Sequence, residues 1–353
     1  MLANTDYENS IRKYIEEILR EISIKSGVIL LSGATGLIGH IMVDCLLWAN
    51  REYGSNFRVI ALARNKERAA AQFKAYFDRE DLLFVSCDVN KPIPEVGEVD
   101  YVIHGASNTH PMAYSMDPIG TIRTNVLGTE HLLEYARTHG CKRFVFLSSV
   151  EIYGEDQGKR EKLGEKDCGY LDCNSVRAGY PESKRLGESL CCAYAASYDM
   201  NIVIPRLCRV YGPTMGPDDS KALSQFIRKA VKGEDIVLKS EGKQYYSYIY
   251  VFDAVKALFY IIDKGRPGEA YNISSESSDI KLYDLAAKLA KIAGTKVVFE
   301  LPEETEKMGY SSATKAILDN EKLKKLGWKE RYDMDGGLQM TVKILKSLAE
   351  GQE

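Results

Sequence analysis

The feature that most constrains this chain is the run Gly33-Ala34-Thr35-Gly36-Leu37-Ile38-Gly39. It lies between an apolar stretch of strand length, Val28–Leu31, and a helix-length stretch, Gly39–Asn50. Gly33 permits a tight turn, Gly36 lets the backbone approach a ligand, and Gly39 lets the following helix pack closely on the strand. The start of that helix offers free N–H groups and a positive dipole end, the surroundings a pyrophosphate needs. Three glycines alone carry little weight. At a strand–helix junction that opens an alternating chain, they predict a dinucleotide cradle.

The alternation follows. Strands are expected at Arg58–Ala63, Leu83–Ser86, Tyr101–His104, Arg143–Ser148 and Asn201–Arg206, with helices at Lys66–Phe77, Thr121–His139 and Tyr180–Tyr198. Apolar strands joined by helix-length crossovers imply a parallel sheet covered on both faces. Residues 7–22 form an amphipathic helix, with Tyr7, Ile11, Tyr14, Ile15 and Ile18 on the face that should pack on the domain edge. Beyond Tyr211 the texture changes. Gly212-Pro213 and Gly216-Pro217-Asp218-Asp219 mark a loop, and helices are expected at Ala222–Lys232, Asp253–Lys264, Leu282–Ala293 and Asn320–Leu326. Short strands are expected at Ile236–Leu238, Tyr246–Tyr250 and Ala270–Ile273. The fold class is therefore α/β, a Rossmann-type doubly wound parallel sheet with a smaller C-terminal α/β substrate lobe. The boundaries read as a helical extension over 1–25 and a dinucleotide-binding domain over 26–210 that also receives strands and a helix from about 236–273. The substrate lobe is read as 211–235 and 274–353.

Composition narrows the function classes. With 47 Lys and Arg against 50 Asp and Glu, a net charge of −3 offers no basic surface for nucleic acid or an anionic membrane. No apolar run approaches the ~20 residues of a membrane span, and the first residues lack the basic-then-apolar pattern of a secretory signal. Among the eight cysteines, Cys45, Cys87, Cys141 and Cys208 sit in apolar helix or strand patterns and no pair has zinc-knuckle spacing. Reduced thiols in a cytoplasmic protein are expected, and no metal site.

Chemistry-bearing residues gather at the carboxyl ends of strands, where an open α/β sheet places its ligands. One strand ends in His104-Gly105-Ala106-Ser107, the next in Ser148-Ser149-Val150-Glu151-Ile152-Tyr153-Gly154. Tyr180-Pro181-Glu182-Ser183-Lys184 then opens a helix with Tyr180 and Lys184 one turn apart. An ammonium beside a phenol favours phenolate and makes the tyrosine a usable base near neutrality. The Ser149 hydroxyl can bind the same substrate oxygen. The second strand ends in Arg64 instead of the acid that holds an NAD ribose, which favours a 2′-phosphate, and Asp88 is placed for the adenine edge.

With Thr124-Asn125-Val126-Leu127-Gly128-Thr129, Tyr211-Gly212-Pro213 and Tyr248–Asp253, these motifs resemble the extended short-chain dehydrogenase/reductase family, in its nucleotide-sugar epimerase/dehydratase branch. The resemblance runs from about Val28 to about Trp328 and extends to UDP-glucuronate decarboxylases and dTDP-glucose 4,6-dehydratases; Pro111, Tyr114, Pro118-Ile119 and Thr121 are similar to the matching decarboxylase segment. It implies a tightly bound, recycled NAD or NADP that takes a hydride from a sugar carbon and returns it. Tyr180 would be the base, Lys184 its tuner, Ser149 the group that orients the oxygen, and Glu151 a fourth catalytic residue. Beyond Gly33, Gly36, Gly39, Arg64 and Asp88, the implied cofactor contacts are Thr35, Leu37, Ile38, Val89, Gly105, Ala106, Ser107, Asn125, Leu147, Tyr180, Lys184 and Leu207. Contacts to a nucleotide-activated sugar are implied for Thr109, Ser149, Glu151, Arg209, Tyr211, Gln225 and Tyr246. A homodimer through the helices beginning near Thr121 and Tyr180 is implied as well.

Departures from the pattern separate the readings. Glu151 matches the glutamate of dehydratases and decarboxylases, where many 4-epimerases have a small residue. Val150 stands where 4,6-dehydratases carry an acidic aspartate. Tyr246 replaces an arginine that holds the substrate diphosphate, and Arg209, in place of an asparagine, is expected to clamp the phosphates instead. The leading reading is a nucleotide-sugar epimerase working through a keto intermediate; the alternative is a UDP-glucuronate decarboxylase-like or 4,6-dehydratase-like enzyme. A non-catalytic dinucleotide-sensing protein is opposed by the intact Ser149, Tyr180 and Lys184.

Overall fold

The structure, a computed structural model, describes every residue except 1, 3, 77, 110, 157–158, 301–312 and 352–353. From the N-terminus run α1 (Thr5–Glu21), β1 (Ser26–Ser32), α2 (Leu37–Tyr53), β2 (Asn56–Ala63), α3 (Lys66–Gln72), β3 (Leu82–Ser86), β4 (Tyr101–His104), α4 (Pro111–Met116), α5 (Pro118–Thr138), β5 (Arg143–Phe146), β6 (Ser148–Ser149), α6 (Gly179–Tyr198) and β7 (Ile202–Leu207). There follow β8 (Arg209–Tyr211), α7 (Ala222–Lys232), β9 (Ile236–Leu238), β10 (Tyr245–Tyr250), α8 (Val251–Lys264), β11 (Ala270–Ile273), β12 (Ser275–Lys281), α9 (Leu282–Ala293), β13 (Val297–Phe299), β14 (Lys315–Ala316), α10 (Glu321–Lys324) and α11 (Met334–Glu350).

The large sheet is parallel, in the order β3-β2-β1-β4-β5-β7-β11, with β6 prolonging the path of β5 beside β7. Its strands are buried on both faces because alternate residues serve different layers. Ile29 and Leu31 of β1 join the core that α1, α2 and α8 build, while Leu30 joins Leu132, Leu133 and Cys191 from α5 and α6. The chain winds outward from β1 to β3 and then crosses to β4, so the connections leaving the paired carboxyl ends of β1 and β4 run in opposite directions and leave a crevice.

α1 begins where the Asn4 side chain accepts the Tyr7 N–H at 2.9 Å. Its apolar face is buried against α2 and α8, with the Tyr14 ring 5.3 Å from that of Phe252. Its polar side reaches late parts of the chain: Glu17 pairs with Lys256 and Arg331, and Asp6 with Lys343 of α11 at 2.9 Å.

The 236–273 stretch departs from expectation. Only β11 and α8 belong to the large sheet and its covering layer; β10 pairs with β8, β12 and β14, and β9 with β13, in two small sheets. β11 occupies the outer edge of β7, so β9 and β10 satisfy their backbone groups among later strands. Helix α3 ends at Gln72, short of Phe77, which lies outside the described residues, and the expected helix at Asn320–Leu326 is only α10. Unforeseen are α4, β8, β12, β13, β14 and the long α11. The polar composition of β12, Ser-Glu-Ser-Ser-Asp-Ile-Lys, hides its strand character. Gly336 and Gly337 mask the first turn of α11, where Asp333 accepts the Gly336 N–H at 2.8 Å.

All eight cysteines are free. Among the described residues no helix is long and apolar enough to cross a membrane.

Candidate active site

The crevice beside β1 and β4 is a cleft of about 850 Å³. Gly33 forms its floor at φ +75°, and a side-chain carbon added there would lie 2.8 Å from the backbone of Gly105 and Ala106. A carbon added at Gly39 would meet the Gly33 carbonyl oxygen at 2.4 Å. Gly36 precedes α2 without a side-chain cap, so among the described residues nothing claims the first N–H groups of α2, where Leu37, Ile38 and Gly39 line the cleft.

Ser32 locks the two strand ends together. Its hydroxyl accepts the Gly105 and Ala106 N–H groups at 3.2 Å each and gives its own hydrogen to His104 Nδ1 at 2.8 Å. Burial, seconded by the charge of Lys184, pulls His104 down to about 3, so the ring is neutral; with the Ser32 oxygen already accepting two N–H groups, its hydrogen goes to Nδ1.

Tyr180 and Lys184 come from the start of α6, and Ser149 and Glu151 from the end of β6 and the single turn after it; all four line the cleft. Lys184 Nζ donates to the Leu147 carbonyl at 2.8 Å and lies 4.9 Å above the Phe146 ring. Burial lowers it to about 8. The lowering of the phenol by Lys184 expected from their spacing is not what the structure displays. Burial pushes Tyr180 up to about 12, opposed by the Ser149 hydroxyl and by Arg177, while Glu151 adds to the rise. The ammonium is directed at a backbone carbonyl, which explains why its neighbour does not feel it as the helix spacing suggests.

A second group of side chains closes the same end. Arg177 Nη2 donates to Glu151 Oε2 at 2.6 Å, and its Cζ lies 4.6 Å from the centre of the Tyr114 ring. That ring stacks on Tyr180 with centroids 5.4 Å apart and planes 25° apart. On the other side of Glu151, Arg209 Nη2 is 4.0 Å from Oε1, and its Cζ sits 3.4 Å over the Tyr246 ring. Arg209, expected at the substrate phosphates, thus faces a carboxylate and supplies a guanidinium beside the position where Tyr246 replaces one.

Thr35, Arg64, Asp88, Val89, Ser107, Leu147 and Leu207 also line the cleft, as do Thr109 and Gln225. Two of the named residues do not. Asn125 is buried behind the wall, accepting from the Ser107 hydroxyl at 2.7 Å and donating to Ser183 at 2.9 Å, so it places Ser107 and touches nothing in the cleft. Tyr211 is sealed in the core, where its hydroxyl fills the space above Gly337 of α11; without α11 in view, the sequence suggested an open position.

Sequence reasoning missed Ser32, Arg68 and Arg177. Arg68 lines the cleft near Arg64 and donates to the Thr35 carbonyl at 3.2 Å. Arg177 is a lone arginine in a polar stretch, brought inward only because Ser175 caps a single turn over Val176–Ala178. No motif marks it.

These features fit a dinucleotide: a glycine floor that any side chain would fill, an uncapped helix start, and basic groups beyond β2. Among the described residues no group of three or more His, Cys, Asp or Glu could hold a metal ion.

Comparison with known proteins agrees. The NAD dependent epimerase/dehydratase family matches residues 29–274. UDP-glucuronic acid decarboxylase 3 of Arabidopsis thaliana is 29% identical over 314 residues, 88% of this chain and 86% of that protein. An epimerase from Methanothermobacter thermautotrophicus superposes with a TM-score of 0.79 at 21% identity, over 96% of each chain. UDP-glucuronic acid 4-epimerase from Bacillus cereus, solved with UDP-glucuronic acid and NAD, superposes with a TM-score of 0.75 at 21% identity, over 91% of this chain and 99% of that one. The two superpositions speak for the fold, the sequence match for descent: the chain belongs to the NAD dependent epimerase/dehydratase family.

Proposed function

We propose that this chain is an NAD(P)-dependent nucleotide-sugar epimerase that oxidises a sugar hydroxyl transiently and re-forms it with inverted configuration. The observation that carries this reading is the convergence of the glycine floor with Ser149, Tyr180 and Lys184 on one cleft. That floor would hold the pyrophosphate of the dinucleotide, whose nicotinamide would supply a reversible two-electron hydride acceptor. Ser149 donates to the sugar oxygen and Tyr180 takes its proton. At the phenol, the Ser149 hydroxyl and the Arg177 charge oppose the burial that disfavours phenolate, while Lys184, lowered to about 8, holds the Leu147 carbonyl beside the cleft. The protein's further contribution is to hold the sugar carbon at one distance and angle.

A second reading, a decarboxylase of an acidic nucleotide sugar, is favoured by one observation. Arg177 and Arg209 converge on Glu151, yet Arg177 Nε and Arg209 Nη1 are buried without a hydrogen-bond partner among the described residues. A sugar carboxylate would satisfy both. The Arabidopsis relative is named for decarboxylating UDP-glucuronic acid and the Bacillus structure for epimerising it. Both reactions begin with the same oxidation.

The test is incubation with UDP-glucuronic acid, UDP-glucose and dTDP-glucose, followed by chromatography and mass spectrometry. Unchanged mass with changed retention is expected for epimerisation, loss of carbon dioxide for the second reading. Tyr180→Phe should lower turnover by ~100-fold or more. Turnover at the parent rate would remove the catalytic assignment.

Two finer points belong to this reading. Arg64 and Arg68 at the far end of the cleft suit the 2′-phosphate of NADP. Exposed Ile119, Ile122 and Leu186 on α5 and α6 suit a second copy of the chain.

A further inference from the structure

The side chains at the closed end of the cleft form a continuous column whose parts come from five places in the chain. The Tyr180 ring of α6 stacks on Tyr114 of α4 at 5.4 Å, the Arg177 guanidinium lies 4.6 Å from the same Tyr114 ring, and Arg177 holds Glu151 at 2.6 Å. Arg209 stands 4.0 Å beyond Glu151 and rests on Tyr246. Tyr114 and Tyr180 are both buried, so these contacts are scarcely diluted by water. We infer that Arg177 is a positioning residue for the Tyr180 phenol. Through the Tyr114 ring that both touch, it fixes the phenol's orientation and sets a positive charge behind it, and Glu151 balances that charge.

The surroundings support this division of labour. The charged and titratable groups facing Tyr180 are Glu151 from the turn after β6, Arg177 from the turn before α6, Tyr114 from α4 and Lys184 from its own helix, with Ser149 as the hydroxyl partner. Arg209 enters one step further out, through Glu151 and Tyr114. Lys184 is engaged by the Leu147 carbonyl, whereas Arg177 and Glu151 act on the phenol in opposite senses. A guanidinium suits this place better than an ammonium, because its flat face packs on an aromatic ring while its edge holds a carboxylate.

The inference rests on reading Tyr180 as the base, but its test needs no sugar. 3-Fluorotyrosine is placed at position 180, where fluorine acidifies the phenol and gives one resolved ¹⁹F signal to titrate against pH. Arg177→Gln should raise the midpoint by about one pH unit, a ~10-fold loss of phenolate at a given pH. Glu151→Gln, nearly the same size as the parent, should lower it, and Arg177→Lys, which keeps the charge without the flat face, should fall between the parent and Arg177→Gln. Loss of packing alone gives no reason for opposite shifts. Unmoved midpoints, or shifts of Arg177→Gln and Glu151→Gln in one direction, overturn the inference. Should Arg177→Gln not fold, Glu151→Gln decides: a lowered midpoint supports it, an unchanged or raised one overturns it. Opposite shifts without turnover of any nucleotide sugar would leave the inference standing and sink the epimerase reading, so the two failures stay distinct.

Discussion

At the scale of single residues, the histidine sealed between β1 and β4 has a consequence for stability. Unfolded, its ring takes a proton below the ordinary 6.5; folded, only near 3, because burial and Lys184 oppose the charge. The unfolded chain therefore binds more protons between those values, and stability falls as pH drops through that window. His104→Gln should flatten the dependence of the urea midpoint on pH below about 6.5, relative to the parent. Asp253 and Asp279, which burial raises to about 6, act in the opposite sense but are common to both proteins and cancel in the difference. Parallel curves would show that His104 does not titrate as described. Residues of this kind mark the limit of what the sequence reveals. Ser149, Glu151, Tyr180 and Lys184 are legible because their position at strand ends and a helix start is a matter of local spacing. Ser32, Arg68 and Arg177 have ordinary neighbours in sequence, and their significance arises only when distant backbone closes around them. Lys184 shows the opposite error: the spacing is right, but the carbonyl of Leu147, between β5 and β6, takes the ammonium.

At the scale of elements, the alternation of strand and helix through β7 is plain in the sequence because the central strands are buried on both faces and the crossover helices α2, α5 and α6 are long. The later strands are short and partly polar, and β12 and α11 lack the pattern that would announce them. Their partners lie far away in the chain. The β2–α3 junction carries a prediction of its own. Asn65 caps α3 by accepting the Arg68 N–H at 2.6 Å, which puts Arg64 and Arg68 on the same rim. Equilibrium dialysis should find NADP bound more tightly than NAD, and Arg64→Asp should invert the order, each change amounting to ~10-fold or more. A parent that prefers NAD, with no response to Arg64→Asp, would rule out a 2′-phosphate site there.

At the scale of the whole molecule, exposed Ile119, Ile122 and Leu186 on the outer sides of α5 and α6 predict self-association. Sedimentation should return the mass of two chains, and Ile122→Asp combined with Leu186→Glu should return one, with dinucleotide binding retained. A monomeric parent would refute this. The clasp formed by α1 has another effect. The helix lays its apolar face partly on α8 and ties its charged side to α8, Arg331 and α11, so its packing is completed only by partners that lie from about 240 to more than 300 residues further along the chain. Until those partners arrive that greasy face stays half-covered, and each refolding chain must close a loop more than 300 residues around, which makes the docking of α1 a costly, long-range step.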